Sequence, residues 1–568
     1  MLKTIAMSLL LAGAGVEPQP VPGTASLVLT GGRVWTGDPA RPWARAIAIS
    51  PAGILAVGED DEIGRLAAPG ARRIALAGRF VMPGINDAHV HFLRGSVRLT
   101  QLDLNGARSL DEIQQRLTRF AKENLSVPGN PWIQGYGWQY TVMPGGRLPT
   151  RQDLDAVVAD RPVFLAAYDG HTGWANSAAL RLAKVDAATK FPGWGEIVHD
   201  ASGAPTGVLK EQAQTLVTAA IPALSHAEQR AALRRGLARA ASLGITSIQN
   251  AHGTPEEVAL FQEAATAGEL SLRVGVAQTL RPPIPPERID AVRALADRTA
   301  SGLVRVKAVK IVVDGVIEAH TAAMLAPYAD EPRTLGLPAW TQEQLDQTVA
   351  RVDRAGLQIY IHAIGDAGVR MALDAFEKAR RTNGRPDSRF RVEHLETIDP
   401  ADVPRFAALG VLASMMPIHA DPDTNGAWTA AIGPDRSARG FAWRLMEKAG
   451  ARLVFSSDWP STLTVDPWRG LHCAVNRTTD DGRPAGGWLP EHAVSVESAL
   501  RAYTSAGAYA EFEEATKGVL APGMDADLVV LSADPFRVEP SRLHTLRAVL
   551  TVFDGRVVFE TRESPAKP

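Results

Sequence analysis

From about residue 226 onward the chain alternates strand-like apolar runs with longer amphipathic stretches, and this alternation constrains the fold more than any other feature. HAEQRAALRRGLARAASLG reads as a helix and GITSIQN as the strand after it. LRVGVA precedes PERIDAVRALADR, and VRVKAVKIVVDG stands next. EQLDQTVARVDRAG leads to LQIYIHAIGD, DAGVRMALDAFEKARR to RFRVEHLE, and ARGFAWRLMEKAG to ARLVFSSDWP. Strand, helix and strand in succession specify parallel pairing with a crossover. Enough units are present to close a sheet, so the expected fold is α/β, a (β/α)8 TIM barrel.

The two ends have another texture. ASLVLTGGRVWTG, ARAIAIS, GILAVG and RRIALAGRFVMPG are short apolar runs stopped by Gly, Pro or Asp, and ADLVVLSADP and LRAVLTVFDGRVVFE repeat the pattern. Such runs read as strands ending in turns. The expectation is a small β-sandwich domain built from both ends, residues 25–80 and 518–560, around a barrel spanning 81–517. A long stretch at about 93–224, rich in Gly, Pro and Trp, follows the first barrel strand and reads as an insertion covering the pocket.

Composition narrows the partners. The 568 residues are 45% hydrophobic and 21% charged, with a net charge of −2 and no block of like charge. That points away from nucleic acid and anionic membrane surfaces and toward a small-molecule substrate; the sequence leaves self-association open. The single cysteine, Cys473, excludes a disulfide framework and a cysteine-based metal site. Residues 1–18 carry Lys3, an apolar core from Ile5 to Leu11 and small residues after it, the order of a cleavable export signal. Export to the periplasm or medium is expected if that segment is removed, and a cytoplasmic location otherwise. No membrane span is expected.

The chemistry lies at strand ends. In NDAHVHF, His89 and His91 are two apart, so on a strand both imidazoles face one side. One strand histidine is ordinarily a packing residue. Here His362 ends LQIYIH, His394 ends RFRVEH, and Asp458 ends ARLVFSSD, so four histidines and an aspartate occupy the C-terminal ends of four apolar runs. In a barrel those ends converge. Imidazole and carboxylate suit one or two divalent ions, zinc first and manganese or iron as alternatives. Lys310 lies within the apolar run VKAVKIVVDG, where an ammonium is costly to desolvate and is repelled by cations. A neutral amine or an anionic derivative removes both difficulties.

These motifs resemble the amidohydrolase superfamily and, within it, amidohydrolase family 3, the YtcJ-like group that includes N-substituted formamide deformylase. The likeness runs from about Ala25 to Glu560 and includes FVMPGINDAHVHF, DGHTGWANSAAL, VKIVVDG and GMDADLVVLSADPF. It implies metal ligation by His89, His91, His362, His394 and Asp458. Lys310 matches a lysine that is often carboxylated in relatives and bridges two metals. One departure stands out: after the sixth strand many relatives read SMQP where this chain reads SMMP, with Met416 replacing the amide.

The implied reaction is hydrolysis of an amide-type C–N bond of a small molecule by metal-activated water, with Asp458 moving the proton. An ester or lactone can use the same site, and a non-catalytic binding protein can share the fold. Candidate substrate contacts are Trp138, His171 and Trp174 in the insertion, Asp314 and His320 after the lysine strand, and His419. Asp87 is expected to support the ligands.

Overall fold

The computed structural model describes residues 23–561 apart from 124–130, 140–141, 144–146, 168–171, 193–194, 283 and 463. The N-terminal export expectation and His171 therefore lie outside the described residues. Two compact units emerge: residues 1–91 with 237–568, and residues 92–236.

The first unit contains an eight-stranded sheet. Its strands are β1 (Ile85–Val90), β2 (Ile245–Gly253), β3 (Arg273–Thr279), β4 (Val304–Val312), β5 (Gln358–Ala363), β6 (Arg391–His394), β7 (Leu412–Met415) and β8 (Leu453–Phe455). All neighbours pair in parallel and follow chain order. Beyond β8 the sheet closes onto β1: Asp458 N–H donates to the His89 carbonyl at 2.8 Å, and His91 N–H to the Trp459 carbonyl at 2.8 Å. The expected TIM barrel is thus present. SMMP ends the seventh barrel strand and starts the turn after it, with Met416 buried.

Local sequence explains the crossovers. Helix Gln342–Arg354 starts at Thr341, whose hydroxyl and Gln344 form a capping box. Helix Asp366–Asn383 buries Val369, Ala372, Leu373, Phe376 and Ala379, a 3.6-residue stripe, and stops at Gly384 in the left-handed region. Phe376 stacks on Phe390 with ring centroids 4.4 Å apart.

Both chain ends share a sheet. Strand Phe80–Pro83 pairs antiparallel with Leu528–Leu531, in a six-stranded sheet that also holds Ala548–Phe553 and Arg556–Glu560. A four-stranded sheet of Ala25–Thr30, Ala46–Ser50, Gly53–Gly58 and Ala67–Ala75 faces it, and one apolar core joins Leu27, Leu29 and Ile47 to Leu528, Val530 and Val552. The second unit has its own six-stranded sheet, including Ile133–Trp138, Val163–Ala167 and Thr172–Ala175. Among the described residues no helix is long and apolar enough to cross a membrane.

Gly84 joins the sandwich to β1. A Cβ there would lie 2.1 Å from Thr246 Oγ1 and 2.5 Å from Cγ2. Overpacking at such a junction costs about 1–3 kcal/mol. Gly84→Ala is therefore expected to lower the denaturation midpoint, and Thr246→Ala, which removes both atoms, to restore part of it. Equal midpoints for wild type and Gly84→Ala would disprove the contact.

Candidate metal centre

Barrel closure places Asp458 against the first strand. Its Oδ1 lies 3.1 Å from His91 Nε2 and 3.6 Å from His89 Nε2, and its Oδ2 lies 3.2 Å from His419 Nε2. The His394 ring stands 5.0 Å from that of His89 and 4.3 Å from that of His362, centroid to centroid. Lys310 Nζ reaches His89 Nε2 at 3.3 Å. All six residues expected as ligands thus come together at the C-terminal strand ends. Ligand atoms of His89, His91 and Asp458 lie within 4.8 Å of one another, as do those of His394, His419 and Asp458.

Backbone strain sits on these residues. His394 has φ 75°, Leu395 φ 49° and Asp458 φ 54°, in the left-handed region that costs a non-glycine residue energy. Asp87 holds the Asp458 loop by accepting from Ser457 N–H at 2.9 Å and from the Ser457 hydroxyl. Burial pushes the Asp87 carboxyl up to about 7.

The donor set fits a divalent cation. Burial, reinforced by Lys310, lowers the His89 imidazole to about 4; burial likewise lowers His362 to about 3 and His394 well below its ordinary value. All three are neutral at pH 7 and present lone pairs. His394 Nδ1 and Asp458 Oδ1 are buried without a hydrogen bond, a cost that a cation removes. Burial also lowers the Lys310 ammonium to about 8.

Supporting residues that sequence reasoning missed carry much of the geometry. Glu393, adjacent to His394, accepts from His89 Nδ1 at 2.6 Å and from the Ser414 hydroxyl at 2.7 Å. This fixes the His89 tautomer, leaving Nε2 for ligation. Arg391 Nε lies 2.8 Å from Glu393 Oε1, with both side chains fully buried. Burial alone would raise the Glu393 carboxyl; Arg391, His89 and Lys310 outweigh it and hold it at about 2. The signal was present: Arg391 and Glu393 are two apart on an otherwise apolar strand. Glu396 was missed as well. It accepts from His419 Nδ1 at 3.0 Å and from Trp428 Nε1 at 2.9 Å. Although burial disfavours charge on His419, Asp458 and Glu396 raise its imidazole to about 10. The half-buried His252 ring stands 5.9 Å from that of His91.

The other residues expected as substrate contacts have these surroundings. Asp314 is buried and accepts from the backbone N–H groups of Ala323, Ile364 and Gly365, so it fixes the turns after β4 and β5. His320 engages Asp330 at 2.8 Å and the Tyr328 ring. Trp138 and Trp174 are fully buried in the core of the second unit, with rings 5.8 Å apart and indole N–H groups donated to the Leu165 and Thr150 carbonyls. Their large apolar area fills that core. His419 touches Asp458 directly.

A family model described as "Amidohydrolase family" matches residues 72–559. The chain belongs to this amidohydrolase family. It is 31% identical over 504 residues to putative amidohydrolase YtcJ of Bacillus subtilis (strain 168), covering 87% of this chain and 91% of that one. It is 29% identical over 556 residues to N-substituted formamide deformylase of Arthrobacter pascens, covering 94% and 98%. The crystal structure of an uncharacterized metal-dependent hydrolase from Pyrococcus horikoshii OT3 superposes with a TM-score of 0.73 at 27% identity, covering 90% of this chain and 99% of that one. This amidohydrolase is therefore a hydrolase of metal-dependent kind, and its His and Asp clusters are groups that could hold a metal ion.

Glu393 gives a pH-dependent test. Its carboxyl is held below the unfolded value of 4.5, so the stability it contributes is present above pH 4.5 and is lost as pH falls toward about 2. Breaking a buried pair costs about 3–5 kcal/mol. Glu393→Gln is expected to destabilise the metal-free protein by that amount at about pH 7 and by clearly less at about pH 3. The same variant should bind metal about 10–100-fold more weakly. An equal stability difference at both pH values would contradict the ion-pair account.

Proposed function

We propose that this amidohydrolase cleaves an amide-type C–N bond, other than a peptide bond, in a small molecule. The observation that carries the reading is the convergence of four histidines, one aspartate and a buried lysine around buried atoms without hydrogen bonds. His89, His91, His362, His394 and Asp458 would hold a divalent ion, zinc by preference, which would supply the Lewis acidity for activating water near pH 7 and polarising a carbonyl.

The chain's own groups manage the protons. Asp458 receives one at its carboxylate and returns it to the leaving nitrogen. His419 Nε2 faces Asp458 Oδ2 at 3.2 Å and keeps its own proton, because Glu396 backs Nδ1 at 3.0 Å. Burial raises the Asp458 carboxyl, but the His419 and His91 imidazoles that face its oxygens outweigh this and hold it well below its ordinary value.

Named activity in a relative supports an amide-type substrate: one is an N-substituted formamide deformylase. The test is a hydrolysis screen over N-substituted formamides, N-acyl amino acids, cyclic amides and lactones, with zinc or manganese added. Turnover of the amide-type compounds above lactones is expected. Hydrolysis of lactones alone would overturn the bond assignment.

We propose that Lys310 is a carbamate, which would offer a metal site an anionic ligand in place of a cation. Its neutral amine adds to carbon dioxide and releases one proton, which turns a repelled cation into an anion with two donor oxygens. A depressed amine value near 8 favours this, since only the neutral amine reacts. Lys310→Ala is expected to lose metal stoichiometry and at least about 100-fold in turnover, the scale of removing one transition-state-stabilising group. Short carboxylic acids should restore part of both. Full metal content with near-normal turnover would exclude the carbamate ligand.

A further inference from the structure

A second cluster of metal-ligating side chains shares no residue with the barrel centre. Helix Pro467–Asn476 follows β8, and the 3-10 turn Pro540–Thr545 of the C-terminal segment crosses its last turn. Asn476 Nδ2 donates to the Pro540 carbonyl at 2.7 Å and fixes the crossing. There the His472 and His544 rings meet nearly perpendicular, 4.9 Å apart. Their Nδ1 atoms are 3.4 Å apart, and one ligand atom from each of His472, Asp480 and His544 lies within 4.8 Å of the others.

The tautomer of His472 follows from its partners. Its Nε2 lies 3.1 Å from the Thr479 carbonyl, which only accepts, so Nε2 carries the proton. The Thr478 hydroxyl, 3.0 Å from the same nitrogen, accepts too. His472 Nδ1 is therefore the lone-pair nitrogen, and His472 is buried. That lone pair faces His544 Nδ1 and also takes an N–H from Asn476 at 3.0 Å.

The separation of 3.4 Å is long for a hydrogen bond between two ring nitrogens. It matches another arrangement. Two nitrogens each about 2.0–2.1 Å from a tetrahedral ion are about 3.3–3.4 Å apart. Asp480 completes a three-ligand set, and Arg469 Nε orients its carboxylate through Oδ2 at 2.9 Å.

We propose that His472, Asp480 and His544 form a second divalent transition-metal site, separate from the barrel centre, that fastens the C-terminal turn to the helix after β8. Two imidazoles and one carboxylate select zinc, nickel or copper over magnesium or calcium. The Asn476 amide yields the lone pair on binding and keeps its bond to Pro540. Because Asp480 is exposed and His544 half-exposed, the ion exchanges with solvent and water fills its fourth position.

The test uses the full-length protein with zinc alone, and cobalt alone as a spectroscopic probe. His544→Ala and Asp480→Asn change exposed or half-exposed groups outside the barrel centre. Each is expected to hold one zinc equivalent fewer per chain than wild type, to lose part of the cobalt d–d absorption, and to lose the zinc-dependent rise in melting temperature that the second site contributes. Turnover should stay at the wild-type level. A His89→Ala variant, with the barrel centre disabled, should still retain one equivalent. Wild-type stoichiometry in His544→Ala, or no zinc at all in a folded His89→Ala protein, would overturn the proposal. Neither outcome depends on which bond the barrel centre cleaves.

Discussion

The closing of the parallel sheet governs the arrangement of the site. An eight-stranded barrel has no free edge only if its first and last strands meet. Here they meet through the backbone of three candidate ligand residues and Trp459: Asp458 N–H reaches the His89 carbonyl, and His91 N–H the Trp459 carbonyl, each at 2.8 Å. A hydrogen bond of this kind fixes relative position to a few tenths of an ångström. Closure and ligand geometry are therefore one constraint. Asp87 adds to it from β1 by holding Ser457, immediately before Asp458. A slip between β1 and β8 would separate the two halves of the ligand set, so the apolar packing of the crossover helices also protects the chemistry.

Below the ligands the barrel interior is polar, which a fold built on apolar strands does not require. From Glu393 the network passes to Arg391, whose guanidinium lies 3.8 Å from the Tyr360 ring centroid and reaches Gln249. Gln249 donates to Asn86 at 3.2 Å, Asn86 donates to Glu511 at 3.1 Å, and Lys517 pairs with both Glu511 and Glu513. Each buried charge has a counter-charge or hydrogen-bond partner, the condition under which burial is tolerable. Hydrogen-bonded chains in low dielectric also strengthen one another. The network therefore holds Glu393 rigidly, and Glu393 holds His89.

Much of this architecture was legible in the sequence because it rests on short-range periodicity. Alternating apolar runs and amphipathic stretches specify the barrel, and the turn-rich ends specify the sandwich. The candidate ligands stood out too, since His362, His394 and Asp458 each terminate an apolar run and His89 and His91 close another. The rest depends on separation along the chain. Asn86 and Glu511 are 425 residues apart and Arg391 and Gln249 are 142 apart, and no local pattern couples them. His419 comes off a 3-10 turn after β7, where no strand period predicts its direction. Trp138 and Trp174 looked like pocket walls because an insertion after the first barrel strand invites that reading. The insertion has a core of its own, and large aromatic side chains are what fill it. Asp314 lies just past the lysine strand, yet three backbone N–H groups claim its carboxylate.

The remaining question is why a stable fold tolerates so much local cost at one place. His394, Leu395 and Asp458 occupy left-handed backbone regions, and each such residue costs on the order of 1–3 kcal/mol. Lys310 and three imidazoles are buried in forms that suit ligation rather than solvation. A structure keeps such strain only where its surroundings over-determine it, and here they do. Closure bonds fix the Asp458 backbone, Glu393 fixes His89, and Glu396 with Trp428 fixes His419. A cation entering the cluster would offset part of the cost of burial, because His394 Nδ1 and Asp458 Oδ1 are buried without a hydrogen bond. Strain and ligand preorganisation are thus two descriptions of one arrangement. The barrel carries the cost beforehand, so that metal binding does not have to reorganise the strands.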